Sequence, residues 1–156
     1  MYAQIFRTFA AGLSLLLFVG ATSAQERQWA FDFGDTEAFL IFGVPETDDV
    51  GVSFWCRKGS GTIQMFVPGT DPSLPAGKLR KFRIKVAGKT LTRRGLVAAD
   101  ELNGGTTIEA RLEERDPLFG LLLDADRFTV VSGPATHTYP MTDADLPNLL
   151  DACRKR

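Results

Sequence analysis

Hydrophobic and polar positions alternate along most of this chain. In Val50-Gly-Val-Ser-Phe-Trp-Cys56, the residues Val50, Val52, Phe54 and Cys56 share one face of a strand, because successive strand side chains point to opposite sides. Thr62 to Val67 repeats the pattern with Ile63, Met65 and Val67, and Gly59-Ser60-Gly61 between them has hairpin-turn chemistry. Glu37 to Phe42 is apolar on both faces, as a central strand is. Arg80 to Val86 alternates again, turns at Ala87-Gly88 and finds a partner at Thr90 to Arg94. Asn103-Gly104-Gly105 joins Leu96–Leu102 to a strand with Ile108, Ala110 and Leu112 inward. Ser132-Gly133-Pro134 joins Arg127–Val131 to Ala135–Tyr139. The stretch from Pro68 to Pro75, with prolines at 68, 72 and 75, predicts a stiff exposed loop.

Two segments change period. Asp116 to Ala125 predicts a helix with Asp116 as its cap and Pro117 at the first helical position. Leu146, Leu149, Leu150 and Cys153 recur at helical spacing near the C-terminus, with Thr142, Asp143 or Asp145 as cap. Pro147, which has no amide proton to donate, favours a start at Asp143 or Asp145. About eight or nine strands and two short helices predict a mainly β fold, an antiparallel sandwich or partly closed barrel.

The opening residues obey a different pattern. One charge, Arg7, precedes the apolar stretch Ala10–Val19, and small residues run from Gly20 to Ala24. This layout predicts a secretory signal peptide over 1–24, cut after Ala24, with Ala21 as second choice. The apolar core is about ten residues, against roughly twenty needed to span a bilayer. The first cysteine of the chain is Cys56, so no lipoprotein anchor is expected. Residues 25–156 then form one exported β-rich domain, periplasmic or secreted.

Export decides how the two cysteines are read. An oxidising destination predicts a Cys56–Cys153 disulfide, and both positions lie on the apolar side of their elements. A redox or nucleophilic thiol would want a Cys-x-x-Cys motif or a nearby histidine, and the sequence has neither. The formal charge of −1, with 18 basic and 19 acidic residues, offers no electrostatic reason to expect nucleic acid or an anionic membrane as partner. The basic stretch Lys78, Arg80, Lys81, Arg83, Lys85 alternates with apolar residues and reads as the solvent face of a strand, with an anion-binding patch as the alternative.

Candidate chemistry is sparse, and neither catalytic residues nor a cofactor are expected. His137 lies in an alternating polar strand without the Ser or Asp companions of a hydrolase. One histidine and two bridged cysteines do not make a standard zinc site. Asp48-Asp49 and Asp124/Asp126 lack the spacing of a calcium loop and read as turn-capping residues. The aromatics say more. Trp55 and Phe66 point away from the predicted core face; a second layer covering them is the expectation, and an exposed partner-binding surface is the alternative.

The sequence Trp55-Cys-Arg-Lys58, the hairpins that follow, Asp116-Pro-Leu-Phe119, Phe128-Thr-Val-Val131 and Leu146-Pro-Asn-Leu-Leu-Asp-Ala-Cys-Arg154 together resemble small exported proteobacterial proteins. Among named families the pattern resembles the VasI-like accessory proteins of type VI secretion, which share the strand cysteine and a C-terminal Leu-Leu-x-Ala-Cys helix. The resemblance spans most of residues 29–154, and its motifs are structural. It implies a Gram-negative periplasm and a non-enzymatic binding or accessory role with an envelope protein. An inhibitor of a cell-wall hydrolase, similar to lysozyme inhibitors, and an enzyme with a dispersed site are the other readings.

Overall fold

Nine strands and two helices account for nearly every periodic segment. The computed structural model describes residues 26–101 and 104–155; the expected signal peptide, and residues 102 and 103 beside the expected Asn103-Gly104-Gly105 turn, lie outside them. In chain order the elements are β1 (Gln28–Phe33), β2 (Glu37–Gly43), β3 (Val50–Arg57), β4 (Thr62–Val67), β5 (Leu79–Val86), β6 (Lys89–Ala99), β7 (Thr106–Glu113), α1 (Pro117–Leu123), β8 (Arg127–Ser132), β9 (Ala135–Pro140) and α2 (Leu146–Cys153).

The strands form one antiparallel sheet in the order β1-β2-β3-β4-β7-β6-β5-β8-β9. Most neighbours are consecutive hairpins. Two pairings are not, β4 with β7 and β5 with β8, because the β5-β6-β7 meander is inserted in reverse. The chain must therefore cross the sheet ends twice. The proline-rich loop carries it over one end, tied to β7 by Thr70 N–H donating to Thr106 O at 3.0 Å and to β6 by Gly77 N–H donating to Val97 O at 2.8 Å. Helix α1 carries it across the other.

Curling brings the inner face of the sheet onto itself, giving the partly closed barrel of the sequence reading. Phe54 of β3 and Phe128 of β8 meet at 6.3 Å between ring centroids, although four strands separate them within the sheet. The edges β1 and β9 share no ladder. The Trp29 side chain of β1 joins them, its Nε1 donating to Pro140 O at 2.7 Å, and beside it Phe42 of β2 sits edge-on to Tyr139. An open sheet edge invites pairing with other chains, and this indole contact covers part of it.

The inward positions include the apolar set read from alternation: Val52, Phe54, Ile63, Met65, Ile84 and Ile108 are all fully buried, as is Leu40 of β2. Helix α1 begins where predicted, with the Asp116 side chain accepting from Leu118 N–H at 2.8 Å, and contributes Leu118, Phe119 and Leu122 to the core. Helix α2 begins at Leu146 after Asp145, the later of the favoured starts, and its buried Leu146, Leu149 and Cys153 face the sheet. The Cys56–Cys153 disulfide is formed.

Three details differ from the sequence reading. β1 was not anticipated, although Trp29, Phe31 and Phe33 alternate with Gln28, Ala30 and Asp32. The strands expected at Thr90–Arg94 and from Leu96 are one strand, β6, running through Gly95. A Cβ on Gly95 would lie 2.4 Å from Ile108 Cγ2, so this glycine allows a close approach within the strand and marks no break. Finally, β2 is second from the edge, and its outward Phe39 and Ile41 are only half-buried.

Candidate functional site

The register of β2, β3 and β4 places an aromatic cluster on the convex side of the barrel. Trp55 is paired with Phe39 and with Gln64, and Phe66 with Ser53, so Phe39, Trp55 and Phe66 all point outward. The Trp55 and Phe39 rings stack with centroids 6.1 Å apart. Trp55, Gln64, Phe66 and Glu109 line a shallow hollow of about 180 Å³. Both Trp55 and Phe66 are half-buried. The expected second layer is not found: among the described residues no element packs over this cluster, because both helices turn their apolar stripes to the core.

Rigidity beneath the cluster comes from the opposite face of the same strands. Val52, Phe54 and Cys56 of β3 are buried, with Phe54 against Trp29, Phe119 and Phe128 and Cys56 tied to α2. Trp55 is therefore held between two anchored neighbours, and little backbone entropy remains to be lost when something docks on it.

A second depression, a cleft of about 440 Å³, opens at the end of the barrel crossed by the proline-rich loop. It brings together Arg27, Asp49, His137 and Tyr139 from three segments. Their polar groups are already engaged. Arg27 pairs with Asp49, Tyr139 Oη donates to Gly51 O at 3.0 Å, and His137 Nε2 lies 2.7 Å from Gly69 O. A carbonyl oxygen only accepts, so His137 carries its proton on Nε2 and pins the loop to β9. The loop is further ordered by Asp71, whose carboxylate accepts from Ser73 N–H and Oγ and is thereby held below the ordinary carboxylate range.

The bonds formed in this cleft among the described residues are positioning ones. Asp48 lines it, Asp124 closes the C-terminus of α1, and Asp126 O accepts from Met141 N–H. Among the described residues, no three His, Cys, Asp or Glu side chains gather as metal ligands do.

Burial pushes the Tyr139 phenol up to about 12 from its ordinary 10, with the charge of Arg27 pulling weakly the other way. Between these values the unfolded chain gives up the proton while the folded one keeps it. The stability this group confers is present below pH 10 and drains away as pH rises toward 12. We expect a loss of up to roughly 2 to 3 kcal/mol across that window. Tyr139→Phe should start about 1 kcal/mol lower at neutral pH, since Gly51 O loses its donor, and lack this alkaline decline. Urea midpoints of both proteins across the window make the comparison; parallel declines would refute the assignment.

No protein-family model, no curated protein and no solved structure matches this chain. Among the described residues, no helix is long and apolar enough to cross a membrane.

Proposed function

We propose that this chain is an exported, non-enzymatic binding module of the bacterial envelope that holds a protein partner on the Phe39–Trp55–Phe66 surface. The observation that carries this reading is the placement of a solvent-reaching Trp and Phe on strands whose inner side is anchored by core and disulfide. Aromatic side chains on a stiff platform are what dominant interface contacts are made of: large apolar area, few rotamers to freeze, and a polar rim, supplied here by Gln64 and Glu109. The leader-like pattern at 1–24 and the disulfide both favour an oxidising compartment. The likeness to VasI-like accessory proteins points to the same setting.

Capture from native envelope extract tests the proposal, with the oxidised wild-type chain set beside Trp55→Ala and Phe66→Ala. One stoichiometric protein partner should be held by the wild type and lost by both variants. If that partner is a cell-wall hydrolase whose activity falls on binding, the inhibitor form of the reading is selected. Retention of the same partner by both variants would move the interface elsewhere.

A further inference from the structure

The near-neutral charge of this chain averages over unlike flanks. Phe54 of β3 and Phe128 of β8 face each other across the core, so the outer surface around β8 and its neighbour β5 points away from the aromatic cluster on β3. Register places Lys81, Arg83 and Lys85 of β5, Arg94 of β6 and Arg127 of β8 on that outer surface. The remaining outward positions of β5, β6, β8 and β9 are threonine or apolar, with no carboxylate among them. Each of these cations is exposed, and among the described residues none is in an ion pair. Lys81 and Arg94 are direct cross-strand partners, a like-charge pairing that works against the sheet. A solvated face usually mixes signs to avoid this; here both signs are present in the chain and one is excluded from four adjacent strands.

An apolar feature adjoins the cations. Leu79 and Leu96 are cross-strand partners on the same outer face, one register step along from Lys81 and Arg94, and they are 59% and 42% exposed. Two bare leucines, bordered by Glu109 on the β7 side, beside strands whose outward positions carry cations and no carboxylate match the two parts of a lipid interface, phosphate headgroups and the acyl boundary beneath them. A polyanionic polymer would use the cations and have no use for the leucines. We infer that the outer surface of β5, β6 and β8 is a docking face for the surface of an anionic phospholipid bilayer, with Lys81, Arg83, Lys85 and Arg94 meeting phosphates and Leu79/Leu96 dipping below them. Leu96 pairs with Glu109 of β7, and Glu109 pairs with Phe66 of β4, so the lipid face borders the rim of the aromatic surface and the two contacts would meet at that border.

The segment from Gln25 to Arg156 carries every described strand and helix and the whole buried core. Flotation of this segment with vesicles of phosphatidylcholine, with and without phosphatidylglycerol, tests the proposal. Binding should appear only with the anionic lipid and should fall steeply with added salt. The triple variant Lys81→Gln/Arg83→Gln/Lys85→Gln should partition roughly 100-fold more weakly, at about 5-fold per cation, while Lys81→Arg/Lys85→Arg keeps wild-type binding. Leu79→Ser/Leu96→Ser should lower partitioning by roughly 10-fold. These side chains all point outward, so unchanged thermal unfolding is the control for folding. No binding by the folded wild type to anionic vesicles, or equal binding by the triple variant, would overturn the proposal. So would capture of soluble polyglutamate together with indifference to the leucine change, which would assign the face to an acidic polymer.

Discussion

Cys56→Ala/Cys153→Ala lowers the unfolding free energy by about 4 to 5 kcal/mol. The bridge spans a sequence separation of 97, and a loop of that size restricts the unfolded chain by roughly this amount in the chain-entropy account. Whole domains are stable by about 5–15 kcal/mol, so the loss is a large share of what is available. It should fall first on α2. That helix is held by Leu146 and Leu149 against the sheet, by the bridge, and by Gly59 and Gly61 N–H groups donating to Ala152 O and Cys153 O at 2.9 and 2.8 Å. Thermal unfolding followed by circular dichroism should show the midpoint drop by roughly 10 to 20 °C in the double variant, and equally in reduced wild type. An unchanged midpoint would mean that packing and these backbone hydrogen bonds hold α2 without the bridge.

Phe54→Ala is the other large change, with an expected cost of about 3 to 5 kcal/mol. Phe54 is fully buried, and its ring meets Trp29, Phe119 and Phe128 at 6.2 to 6.3 Å. Those residues come from β1, α1 and β8, so one side chain joins an edge strand, a crossover helix and the far wall of the barrel. Emptying its place leaves a cavity that three separate elements would have to move to fill. Trp55→Ala, one residue along and pointing outward, should cost less than about 1 kcal/mol. Guanidinium unfolding of the two variants separates them. Equal losses would contradict the division of β3 into a core face and an open face.

The parts legible in the sequence were those written in short-range pattern. Alternation in β3 and β4 set the inward residues, and it placed Cys56 on the same side as Phe54. Asp116-Pro117 marked the start of α1 because a carboxylate followed by a residue with no amide proton to satisfy suits a helix end. Gly95 misled because a glycine inside a strand pattern looks like punctuation, and its actual reason, the Ile108 methyl occupying the place of a Cβ, comes from a different strand. Sheet order was beyond reach for a related reason: turn chemistry reports on neighbours along the chain, whereas β4·β7 and β5·β8 join strands that are far apart in sequence.

The candidate surfaces divide in the same way. That Trp55 and Phe66 point away from the core followed from parity alone. Their openness did not, because two large aromatics on one face made a covering layer the natural expectation, and that layer is absent among the described residues once α1 and α2 are seen to serve the core. The basic alternation in β5 was visible too. That acidic side chains are missing from the outward positions of β6, β8 and β9 needed the register of those three strands. Closure of the barrel by Trp29 on Pro140 joins residues 111 apart and left no local trace.

The most direct test of the account is the affinity of the captured envelope partner for wild type, Trp55→Ala and Phe66→Ala, measured by titration calorimetry on proteins with the disulfide verified. The account predicts that Trp55→Ala binds at least about 30-fold more weakly, the mark of a dominant aromatic contact, while its unfolding midpoint stays near that of wild type. Wild-type affinity in both variants would contradict it, and would show that the open aromatic face of β3 and β4 is not where this protein meets its partner.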